Sequence, residues 1–166
     1  MEGSGRVTAR DELLDALTEA AVEWAAGGRG RRLVDAAAEA LAGGVDSPTL
    51  RVLAGAPRAT GEEEATELAP TVFHELGIGV HERLSTEAVL AGARQRARAV
   101  LAGRESPRVL ARDLYAMYVS TGHADQLADW TGFDDLYRML EDGILSGRVE
   151  DVDAAVIDAA RALTRG

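Results

Sequence analysis

Three short stretches carry residue types at spacings that could do chemistry. The first, FHELGIGVHERL (Phe73 to Leu84), opens with the His-Glu pair of the HExxH zinc helix. In that motif two histidines four residues apart share one helical face and the glutamate acts as general base. Here Ile78 stands where the second histidine belongs, and His81 comes seven residues after His74. That spacing returns to one face only on an unbroken helix, and Gly77 and Gly79 interrupt it. The motif fails as a zinc site, and it leaves His74 at a helix end and His81 in the next loop.

The second stretch is EEATE, with Glu63, Glu64 and Glu67. It matches the EExxE half of the all-α NTP pyrophosphohydrolases, which hold Mg²⁺ through carboxylates on facing helices. Hard divalent cations take such oxygen ligands and keep sites open for phosphate. The partner ExxD is missing: after Glu75, Glu82 and Glu87 the matching positions hold Ile78, Ser85 and Leu90. A helix's first turn attracts carboxylates without any metal. The third stretch, DDLYR (Asp134 to Arg138), resembles the DDxxD of terpene synthases, but Arg138 replaces the last acid. Asp134 and Asp135 also fall in the first turn of an expected helix. His123, after Gly122, reads as a helix-end cap, and no Ser-His-Asp arrangement emerges from spacing.

Composition removes further chemistry. Without cysteine there is no thiolate nucleophile, thiolate metal site or disulfide. Lysine is absent too, so a GxxxxGK[ST] phosphate loop and a Schiff base are both impossible. The formal net charge is −10, unevenly placed: residues 1–82 carry −8, residues 83–112 carry +5 and residues 113–166 carry −7. Most of this surface repels nucleic acid. The arginines of the middle segment, Arg94, Arg96, Arg98, Arg104, Arg108 and Arg112, are expected to pair with acidic neighbours. No run of about 18 apolar residues is present and the N-terminus lacks a signal-peptide pattern, so a cytoplasmic location without membrane contact is the expectation.

Helix punctuation sets the elements that must position these residues. Thr8 with Asp11 forms a capping box before an apolar face of Leu13, Leu17, Ala20, Ala21 and Trp24. A second helix runs from about Arg31 to Ala42. Asp46-Ser47-Pro48 starts a short third that ends near Gly55. Thr60 with Glu63 opens a fourth, which Pro70 should kink or divide before Gly77 closes it. A fifth reaches from Ser85 or Thr86 to Ala102. Ser106-Pro107 starts a sixth, and a helical turn from Ala124 to Trp130 leads to a seventh from Phe133 to about Glu141. Val152, Val156, Ala160 and Leu163 face inward on a last helix. No segment alternates with period two. The expectation is an all-α, single-domain helical bundle over residues 1–166, with seven to eight short helices and residues 1–7 as a flexible N-terminus. LAGGVDSPTLRVLAG and LAGRESPRVLARD, from Leu41 and Leu101, share a Ser-Pro corner that hints at a duplication.

All three tyrosines and one of the two tryptophans fall between Asp113 and Gly143. An alanine-rich chain needs large side chains to fill its interior, so Tyr118, Phe133 and Tyr137 are assigned to packing. Tyr115 lies off the main face and Trp130 beside a glycine turn, where rings anchor interfaces. The two segments from Asp46 to Ile78 and from Leu101 to Asp142 resemble small acidic helical proteins of Streptomyces and related actinobacteria. That resemblance implies a cytosolic actinobacterial protein and carries over no catalytic residue.

The function expected is a non-enzymatic acidic module that binds a basic protein, with an immunity- or antitoxin-like neutraliser as one form. Its partner-binding residues would be Tyr115, Trp130, Asp134, Asp135, Glu63, Glu64 and Glu67, with no cofactor. The alternative is a carboxylate-held Mg²⁺ or Mn²⁺ hydrolase of a phosphate-containing small molecule, using Glu63, Glu64, Glu67 and His74.

Overall fold

Thr8 opens the first helix as a reciprocal cap: the Asp11 amide donates to Thr8 Oγ1 at 3.2 Å, and the Thr8 amide to Asp11 Oδ2 at 3.0 Å. From this residue on, the computed structural model describes residues 8–57, 59–121 and 125–165, and every regular element among them is helical. His123 lies outside the described residues. The helices are α1 (Ala9–Ala25), α2 (Gly30–Ala42), α3 (Pro48–Ala54), α4 (Gly61–Leu76), α5 (Thr86–Leu101), α6 (Pro107–Ser120), α7 (Trp130–Glu141) and α8 (Val149–Arg165), with a 3₁₀ turn at Asp125–Leu127. The fold is all-α. Among the described residues no helix is long and apolar enough to cross a membrane.

Serine hydroxyls start α3, α5 and α6. Ser47, Ser85 and Ser106 accept from the amides of Leu50, Ala88 and Val109 at 3.2, 3.1 and 3.3 Å. Pro48 and Pro107 occupy the following position, where no amide is needed. Thr60 departs from the expected box: its hydroxyl donates to Glu64 at 2.7 Å and accepts nothing from the helix. Pro70 does not divide α4, which runs on to Leu76. The one bond that Pro70 removes frees the Thr66 carbonyl on an exposed face, where solvent access lowers the cost of leaving it unpaired.

The chain falls into two compact units, Met1–Arg83 and Leu84–Gly166. In the first, α2 packs against α1, α3 and α4, and α3 also meets α4. Leu33, Ala37 and Ala40 of α2 are fully buried, as are Leu17, Leu50, Leu53 and Val72 on the helices it packs against. Alanine at so many inward positions lets the helix axes approach closely. In the second unit α5 packs against α8 and α6 against α7, with lesser contacts closing the set. Its core joins Val89, Ala97, Leu110, Leu114, Leu127, Trp130, Tyr137, Val156 and Ala160.

The core of the second unit takes most of the aromatic crowding. Trp130 is 4% exposed and meets Phe133 edge-on at 5.4 Å. Helix α7 begins at Trp130, three residues earlier than the spacing suggests, because exposed Gly132 is accommodated inside the helix. The extra turn rotates the indole into the interior, which corrects its expected place as a surface anchor. Tyr137, 1% exposed, donates its hydroxyl to Asp153, and burial first, then that bond, raises its pKa well above the ordinary tyrosine value.

Candidate functional site

A concavity lies in the first unit, where the chain leaves α4. Gly77 adopts a left-handed conformation (φ 67°) that caps the helix. Its amide bonds His74 O at 3.3 Å while the Ile78 amide reaches back to Phe73 O at 2.8 Å. This pair of bonds is the Schellman arrangement, and it folds Ile78 back beside Phe73. The segment from Ile78 to Arg83 then continues without helix. An open cleft of about 560 Å³ results, lined on one side by Thr66, Pro70, Phe73 and His74 of α4. Ile78, Val80, His81, Glu82 and Arg83 form the other side, with Trp24 of α1 as a further wall. A volume of this size is typical of ligand and anchor pockets.

Trp24 is 5% exposed and meets Phe73 edge-on, ring centroids 5.7 Å apart. Its indole N–H finds no hydrogen-bond partner among the described residues. The Arg83 guanidinium stacks over the indole at 4.6 Å and donates to the Trp24 carbonyl at the end of α1. Partial burial lowers the Arg83 pKa and the Glu62 charge opposes that, so the group stays cationic and ties the loop after α4 to α1.

The carboxylates of α4 divide by helical face. Glu62 receives the Gly30 amide at 2.7 Å and the Arg31 amide at 3.4 Å, and so caps α2, whose own Arg29 supplies no side-chain cap. Close approach is required there: a Cβ on Gly30 would lie 2.7 Å from Ala65 Cβ. Glu75 caps α3 in the same manner, accepting from the Thr49 amide at 3.0 Å and the Thr49 hydroxyl at 2.7 Å. Hydrogen bonds from the Ser47 and Thr49 side chains hold its carboxyl below the ordinary glutamate range. The glutamate of the His-Glu pair is thus a structural cap. Glu64 is held by Thr60.

Glu63 and Glu67 remain exposed, and neither makes a hydrogen bond or ion pair among the described residues. At about 100° per residue, Glu63, Thr66, Glu67, Pro70 and His74 form one stripe. The two uncommitted carboxylates therefore extend the α4 wall of the cleft toward the helix N-terminus.

The remaining expected residues lie in the second unit. Asp134 is buried and paired with Arg138 at 2.6 Å, so it is spent inside the fold. Asp135 is exposed, and Tyr115 stands half-exposed on α6 outside the core cluster. Glu63, Glu64 and Glu67 belong to the first unit. Several arginines of the arginine-rich segment are engaged within their own unit. Arg96 meets Asp113 at 2.7 Å and Glu105 at 3.4 Å, Arg108 pairs with Glu141, and Arg94 reaches the Leu163 carbonyl at the end of α8.

Among the described residues no group of three or more His, Cys, Asp or Glu is placed to hold a metal ion. Of the residues the hydrolase alternative names, Glu64 is bonded to Thr60, while Glu63, Glu67 and His74 stay exposed on α4. Sequence reasoning missed Trp24, Ile78, Val80 and Arg83 as site residues. The available signal was a pair of aliphatic residues flanking Gly79 in a segment with no helix to bury them. Comparison with known proteins finds no matching family model, no similar curated protein and no similar solved structure.

Proposed function

We propose that the chain is a non-enzymatic acidic module that binds a basic protein partner through the α4 face of its first unit. The observation that carries this is the placement of Glu63 and Glu67, uncommitted to the fold, at the end of an apolar cleft wall. Carboxylates fixed along a helix steer a cationic partner and set its register, while the apolar wall supplies the desolvated contact. The first unit's formal charge of −7 over residues 1–83 favours the same partner sign. Neutralisation of a basic toxin in an actinobacterial cytoplasm is one form that such a module takes.

Affinity capture with the tagged full chain from its host lysate, washed at about 50 mM and about 500 mM salt, tests the proposal. A near-stoichiometric basic protein retained at low salt and released at high salt is expected. Retention must fall when Glu63 and Glu67 are both changed to arginine. A partner whose capture ignores both salt and those substitutions would refute the assignment.

A further inference from the structure

Resting on that proposal, we infer that the cleft takes a bulky apolar side chain from an amphipathic basic segment of the partner, seated among Trp24, Phe73, Ile78 and Val80 while flanking Lys or Arg residues meet Glu63 and Glu67. The cleft walls near its base are apolar: a buried indole, a phenyl edge, a proline and two aliphatic side chains. Its volume of about 560 Å³ exceeds what a single methyl-bearing side chain fills and suits an aromatic or long aliphatic anchor.

The charges at the margin choose the occupant. Arg83 is the arginine lining the cleft, and it is already stacked on Trp24 and bonded to the Trp24 carbonyl. The carboxylates Glu63, Glu67 and Glu82 lie along or beside the walls and none is engaged by an arginine among the described residues. An apolar anion would meet three carboxylates and one committed guanidinium. An apolar segment with cationic flanks meets the complementary pattern. The α4 stripe runs from Glu63 to His74, 12 residues or about three turns, a length matched by a short amphipathic helix laid along it.

The test uses the full chain and three labelled synthetic 16-residue peptides in a fluorescence-anisotropy titration. One is an amphipathic leucine–lysine helix, one replaces each leucine with serine at equal charge, and one is a leucine–glutamate helix. The leucine–lysine peptide is expected to bind at least about tenfold more tightly than either control. Ile78→Gln should weaken it about tenfold, and Glu63→Gln with Glu67→Gln about fivefold with a shallower salt dependence. If Ile78→Gln lowers Tm, Val80→Gln on the same wall gives the answer.

Equal binding of the serine–lysine peptide, or indifference to both wall substitutions, overturns the cleft inference while leaving a charge-driven module. Preference for the leucine–glutamate peptide overturns it in favour of an anionic occupant. Failure of both lysine peptides to bind removes the α4 face as a cationic docking surface, and the proposed function falls with it.

Discussion

The two units are built from the same materials and spend them differently. In Leu84–Gly166 the large rings go inward: Trp130 and Tyr137 are both nearly inaccessible, and two acids of this unit, Asp134 and Asp153, are engaged by the Arg138 charge and the Tyr137 hydroxyl. In Met1–Arg83 the corresponding bulk, Trp24 and Phe73, is buried against the floor of an open cleft. The difference follows from what comes after a helix. Leaving α7, a short turn leads into α8, whose Val152 and Val156 cover the core. After α4 the glycine cap turns the chain into a non-helical segment, which forms one wall of the cleft above these rings. An apolar interior becomes a site when the chain supplies an edge where a helix would have supplied a lid.

The Ser-Pro corner makes the same point. Ser47 and Ser106 cap their helices alike, yet α3 is 7 residues long and α6 is 14. Pairing also differs, with α2 at the centre of its unit and α5 joined chiefly to α8 in the other. The shared letters specify a corner, and the likeness stops there.

This contrast can be broken by substitution, and the largest effect is expected at the hub. Leu33→Ala, at a fully buried position of α2, should cost about 3 kcal/mol and loosen all the helices that α2 touches. Urea unfolding with hydrogen-exchange mass spectrometry measures both; protection lost in Leu84–Gly166 alone would contradict the assignment of Leu33 to the first unit's centre. Tyr137→Phe should cost about 1–2 kcal/mol in the second unit, because Asp153 loses its donor. Glu62→Ala should cost about 1 kcal/mol and raise exchange at the Gly30 and Arg31 amides; unchanged exchange there would rule out the cap.

Glu75 gives a pH-dependent test. Its folded-state pKa lies below the ordinary value of 4.5, so its cap is fully present above that pH and is lost as pH falls through the folded-state value. Glu75→Gln should therefore flatten the loss of stability in acid below about pH 4.5. Parallel acid-unfolding curves for the two proteins would show that the cap does not titrate with folding. The smallest change is expected at the proposed binding face. Glu63→Gln with Glu67→Gln should leave stability unchanged or raise it by a few tenths of a kcal/mol, because it relieves repulsion between i, i+4 like charges. A loss above about 1 kcal/mol would mean that these carboxylates serve the fold.

What the sequence revealed was local. Thr8 with Asp11, Ser47 with Pro48, and Ser106 with Pro107 act within three residues, so their helix starts are legible from the letters alone. What stayed hidden depends on partners far along the chain. Glu62 and Glu75 look like an acidic first turn and half a zinc motif until Gly30 and Thr49 are found beside them, 32 and 26 residues away. Trp130 changes from surface to core with the start point of a single helix, a boundary that glycine blurs. The cleft joins a residue of α1 to a segment that reads only as a loop, and no periodicity marks such a wall.

The chain has two tryptophans, and each unit holds one. Trp24 lies beneath a guanidinium in the first and Trp130 beside a phenyl ring in the second. The molecule therefore contains an optical reporter for each half. Emission from Trp24→Phe follows the second unit, and emission from Trp130→Phe follows the first. The two denaturation curves together show whether the halves lose structure in one cooperative event or in succession.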